Sequence, residues 1–147
     1  MSILNTLGED LYIRVLEPGK DVLAAAKYPA SGSFIDVADF ERFGFYAALD
    51  TLADAVDLKV QQATAVDGTP KDITSAAKTD IADTDDGTEV LIEVQTDHLD
   101  INNDYRYVTL DVSGISGNNY AALIFFGVPK SKPVTQPTTL THVLVAG

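Results

Sequence analysis

The sequence predicts an all-β fold: a single β-sandwich or jelly-roll-like domain with extended N- and C-terminal arms. Three observations carry that expectation. Three strand-like runs follow one another in the second half of the chain, Glu89 to Thr96, Tyr105 to Val112 and Tyr120 to Val128. Turn signals and loops separate short apolar runs along the whole chain. The length, 147 residues, suits one domain able to bury a real core. The expected division is an N-terminal arm over 1–10, a sandwich over 11–129 and a C-terminal arm over 130–147.

Leu11 to Leu16 is the first expected strand, closed by the turn residues Glu17, Pro18, Gly19 and Lys20. A second short apolar run, Val22 to Ala26, is weakened as a strand by its alanines. Ser33 to Val37 reads as a short extended piece. Asp39 to Asp50 fits either a helix capped by Asp39 or a strand. Gly44 in its middle would cost a helix about 1 kcal/mol, and from Phe43 the alternation of Phe43, Phe45, Ala47 and Leu49 favours the strand. Val56, Leu58 and Val60 alternate with Asp57, Lys59 and Gln61, so the two runs are expected to pair as a hairpin across Thr51 to Ala55. Asp67-Gly68-Thr69-Pro70 marks a turn, and Ile73 to Ala77 a brief edge strand.

In the later runs, Val90, Ile92 and Val94 lie opposite Glu89, Leu91, Glu93 and Gln95. Val108, Leu110 and Val112 are expected inward, with Tyr105, Tyr107 and Thr109 on the other face. Tyr120 to Val128 is apolar on both faces, as in a central strand or one whose outer face meets a neighbouring subunit. After Pro129 the chain is rich in Pro and Thr, with Pro133 and Pro137 disfavouring regular pairing. Thr141 to Ala146 regains strand character, able to close its own sheet or to add to another.

Composition narrows the function. The net charge of −12 and the scarcity of Lys and Arg disfavour nucleic-acid and anionic-membrane partners. Nine acids lie between Asp80 and Asp104 without a Lys or Arg, whereas no acid follows Val112 and Lys130 and Lys132 are basic. That asymmetry suits head-to-tail contact between copies or contact of the C-terminal arm with an acidic partner surface, although charge runs are usually solvated faces. Cysteine is absent, which removes disulfides and thiolate chemistry. No apolar run approaches a membrane span, and Glu9 and Asp10 interrupt the opening of the chain early, against a secretory leader.

His98 and His142 are isolated, and no nucleophile, phosphate-loop or zinc motif occurs. No enzymatic activity, cofactor or metal is expected. A calcium loop fails in both registers, with Ala82 at the first position of one and Tyr105 where the other needs glycine.

The order Phe34-Ile35-Asp36-Val37, FGFYAALDTLADA, VDLKVQQATAVDGTPKDITSAA, EVLIEVQTDHLD, YRYVTLDVSG and AALIFFGVPKSKPV resembles small structural proteins encoded among the head genes of tailed bacteriophages. The likeness covers about residues 34 to 134 and consists of strand and turn patterns. It implies a capsid decoration or cement protein, made in the host cytoplasm, that binds the major capsid protein on the outer shell and forms homo-oligomers, trimers in particular. The interface candidates are Ile3, Leu4 and Leu7 in the first arm, Tyr120, Leu123 and Phe125 in the last long run, and Lys130, Lys132, Val134, Leu140 and Val143 in the second arm. Two other readings stand beside it: a head-fibre or tail-side component, and a carbohydrate-binding module using Tyr105 and Tyr107.

Overall fold

A computed structural model describes residues 6–146. Among the described residues nine strands are joined by turns: β1 (Tyr12–Glu17), β2 (Ala26–Tyr28), β3 (Ile35–Asp36), β4 (Phe40–Leu49), β5 (Val56–Ala63), β6 (Lys71–Ile81), β7 (Glu89–Gln95), β8 (Tyr107–Ser113) and β9 (Ala121–Pro129). A single helical turn, α1 (Leu7–Asp10), precedes them, closed by a capping box in which Glu9 accepts from the Thr6 amide at 2.7 Å. Two antiparallel sheets result, in the orders β1-β9-β4-β7 and β2-β8-β5-β6, with β3 also on β8. The chain changes sheets at most connections, and the two orders together are those of an eight-stranded jelly roll whose second strand is split into β2 and β3.

The core lies between the sheets and follows the period of two. Phe43, Phe45, Ala47 and Leu49 of β4 and Ala121, Leu123 and Phe125 of β9 meet Val56, Leu58 and Val60 of β5 and Val108, Leu110 and Val112 of β8. Phe125 is the hub, with ring centroids 5.2 Å from Phe45, 6.0 Å from Phe43 and 5.9 Å from both Phe40 and Tyr12. These are separations at which aromatic pairs add to simple burial.

The expected strand over Leu11 to Leu16 is present, and those over Phe43 to Leu49, Val56 to Gln61 and Glu89 to Thr96 are present with the expected inward faces. Four expectations need correction. β4 and β5 do not form a hairpin: β4 pairs with β7 and β9, β5 with β6 and β8, and Thr51 to Ala55 arches from one sheet to the other. The second strand falls at Ala26–Tyr28 rather than Val22 to Ala26, because Leu23 is spent as a core plug while its amide donates to the Asn119 carbonyl at 2.7 Å. The edge strand after Gly68 runs eleven residues, Lys71–Ile81. Thr109 is buried despite its outward position, because the loop after β2 folds over it and its Oγ1 donates to the Pro29 carbonyl at 2.6 Å.

Candidate functional site

The two outer faces of the sandwich differ in chemistry. On the β2-β8-β5-β6 sheet, Lys27 Nζ donates to Gln61 Oε1 and Asp111 Oδ1, both at 2.8 Å, and Gln61 Nε2 donates to Asp72 at 2.7 Å. That is an ordinary wet face. The outer face of the β1-β9-β4-β7 sheet is apolar. Register places Ile13 beside Phe126, Phe126 beside Gly44 and Gly44 beside Glu93; the next row runs Val15, Ile124, Tyr46, Leu91. Val15 is 55% exposed and Leu91 59%, and the Tyr46 and Phe126 rings meet at 6.3 Å. A continuous apolar surface of this kind, exposed at Val15 and Leu91 and half-buried at Ile13, Ile124, Phe126 and Tyr46 between them, is a candidate interaction site.

Gly44 gives this face relief. With no side chain there, a hollow of about 320 Å³ opens, floored by Gly44 and walled by Leu11, Leu91, Phe126 and Val128. A Cβ at that position would stand 3.2 Å from Leu91 Cδ1. The β7 side of the face is rimmed by charge: Tyr46 hydroxyl donates to the Glu89 carboxylate, and Arg42 lies 3.7 Å from Glu93.

The C-terminal arm begins as part of the domain. Lys130 amide donates to the Asp39 carbonyl at 2.8 Å, and Val134 amide to the Glu9 carbonyl at 3.0 Å. Gln136 stitches the two ends together: its Nε2 donates to the carbonyls of Gly8 (2.8 Å) and Leu11 (2.6 Å), and its Oε1 accepts from the Ile13 amide at 3.1 Å. Beyond Pro137 the arm lies on the surface. Thr141 to Ala146 forms no strand, and Val143, Leu144 and Val145 are 57%, 96% and 69% exposed.

The candidate interface residues are thus scattered. Ile3 and Leu4 lie outside the described residues. Leu7 is exposed on α1, and Tyr120 is half-buried just before β9. Leu123 and Phe125 are corrected: both are fully buried and point into the core, so the outward residues of β9 are Ala122, Ile124, Phe126 and Val128. Lys130 is exposed, Lys132 pairs with Asp10 at 3.2 Å, Val134 packs against the core, and Leu140 and Val143 are exposed. Ile13, Val15, Tyr46 and Leu91 join the outward residues of β9 on the apolar face; Leu11 to Leu16, apolar at both parities, carries a sequence signal for the first two.

Two polar clusters brace the ends of the sandwich. Asp54 Oδ2 accepts from Asn119 Nδ2 (2.9 Å) and from the amides of Ser116 (3.0 Å) and Gly117 (2.7 Å), which hold its carboxyl below the usual range. Asn119, fully buried, returns its Oδ1 to the amides of Ala53 and Asp54. Lys71 donates to Asp100 at 2.5 Å and stands 4.0 Å over the Tyr105 ring; together with Asn103 it lowers the Asp100 carboxyl.

Comparison with protein-family models, with curated proteins and with solved structures gave no significant match. The likeness to head proteins of tailed bacteriophages rests on the strand and turn patterns of the sequence alone.

Proposed function

We propose that this chain is a virion structural protein, a capsid decoration or cement protein that binds the major capsid protein on the outer shell and stabilises it by bridging subunits. The observation that carries this reading is the apolar outer face of the β1-β9-β4-β7 sheet, with its hollow over Gly44 and its charged rim. Such a face favours association with a protein surface, whereas the wet face opposite favours solvent. The jelly roll is compatible with a capsid role, although it serves many others. Many copies acting together would turn modest individual contacts into firm cohesion of a shell.

The test is co-sedimentation of the purified chain with empty shells, followed by heating. Binding in hundreds of copies per particle with raised heat resistance is the expected result. A handful of copies would place the chain at the tail or in a head fibre instead. Phe126→Asp is expected to abolish binding while the far-ultraviolet dichroism stays that of a β protein. Undiminished binding by that variant would remove the apolar face from the reading.

A further inference from the structure

A sandwich has open edges, and each exposes backbone groups that another strand can pair with. Three of the edges here carry features that obstruct such pairing. β1 is bulged between Val15 and Glu17, and its Ile13 amide is occupied by Gln136. The edge formed by β2 and β3 is interrupted by residues 29–34. β6 breaks register twice against β5, with Ser75 and Asp80 at positive φ, the mark of bulges that twist an edge away.

β7 differs from all three. It holds seven residues in unbroken register with β4, from Gln95 opposite Arg42 to Glu89 opposite Ala48. Among the described residues no strand lies on its other side. Instead a groove of about 530 Å³ runs along it, between Ser75, Ala77 and Lys78 on β6 and Glu89, Leu91 and Glu93 on β7. The protein also carries a segment of complementary kind. Leu140 to Ala146 has strand composition, and among the described residues the backbone of 141–146 forms no hydrogen bond. Leu144 is almost wholly exposed.

We infer that the C-terminal segment Leu140 to Ala146 of one copy adds as a strand to the β7 edge of a second copy, linking copies head to tail. Charge selects this pairing over the obvious competitor. Glu89 and Glu93 would repel a second β7 edge laid against the first, whereas no acid follows Val112 in the sequence, so the arriving segment brings none. Apolar residues at both parities of the segment also fit. One set would cover the half-buried Val90 at the open side of the core, and the other would extend the outer apolar face beyond Leu91.

The segment starts on the wrong side of its own molecule. Gln136 fastens its root beside β1, and Val143 Cγ1 lies only 3.6 Å from where a Cβ on Gly8 would stand, at the edge of the sheet opposite β7. A donor at one edge and an acceptor at the other make a heterologous contact, which closes into a ring when the rotation between copies permits. The inference deepens the assembly reading above and rests on it for its setting.

The absence of native cysteine allows a direct test on the full chain. Leu144→Cys and Leu91→Cys chains are prepared separately, mixed and oxidised. Disulfide-linked pairs containing one of each variant are expected, together with a native mass that is a multiple of the monomer's 15.7 kDa for the unaltered chain. Leu144→Asp, at an exposed position, is expected to reduce the native mass to that of a monomer with the β dichroism kept. A monomeric unaltered chain, or an unchanged mass for Leu144→Asp, would overturn the inference. Neither readout uses shells, so loss of the decoration reading would show separately, as failure to co-sediment with shells by a chain that still forms oligomers.

Discussion

At the scale of single residues, Phe125 and Phe126 are neighbours in sequence with opposite consequences. Phe125 is fully buried at the centre of the aromatic cluster, and Phe125→Ala is expected to cost about 3–5 kcal/mol through lost transfer energy and the cavity left behind. Phe126→Ala should cost well under that in the isolated chain, because its ring is only half-buried on the outer face. Urea midpoints of the two variants check the difference. Asp54 supplies an acid-side prediction. Its carboxyl is held below the ordinary value of 3.8 by Asn119 and two backbone amides. The stability it contributes is therefore complete above that value and is lost as pH falls through the lower folded value. Asp54→Asn should flatten the part of the acid unfolding curve below about pH 4, read by dichroism against pH. Neither role was legible beforehand, because period two says which residues share a face but not which face is covered. In β9 both parities are apolar, and only the placement of the second sheet decides between Phe125 and Phe126.

At the scale of elements, the root of the C-terminal arm belongs to the domain and its end does not. Deleting 138–147 should leave the unfolding midpoint of the isolated chain nearly unchanged. Deleting 130–147 removes Val134 from the core margin and the three hydrogen bonds of Gln136, and should cost about 2–4 kcal/mol. Thermal melts of the two truncations check this. Alternation made β4, β5, β7 and β8 readable, since each has one dry face and that requirement is written into the residue order. Pairing was less accessible. β4 and β5 have the same one-sided pattern whether they lie side by side or face each other, and Thr51 to Ala55 contains nothing that distinguishes a hairpin from an arch. The arch is set by distant groups: Asn119 bonds the amides of Ala53 and Asp54 from the loop before β9. Long-range bonds of this kind leave little local trace in a sequence.

At the scale of the whole molecule, charge and apolar surface are segregated. Glu89, Glu93 and Asp97 cluster around β7, while the arm that follows β9 has no acid. Any association driven by that segregation should weaken with salt, by screening over a Debye length of about 8 Å at physiological ionic strength. Association driven by the apolar face should not. Measuring native mass and shell binding across a salt series would separate the two. The asymmetry itself was plain in the sequence, but its spatial meaning depended on β7 standing at an edge, a property of topology that no residue of β7 announces.

Gln136 also fixes how the chain could be re-opened. Because it binds Gly8, Leu11 and Ile13 at once, and Val143 lies beside Gly8, the first and last described segments meet on the same side of the sandwich. A circular permutant, with the ends joined by a short glycine-rich linker and new termini opened in the exposed loop 83–88, should retain the fold, since such loops tolerate cutting. Its tail would be tethered at both ends, and it should therefore run as a single folded unit on a sizing column.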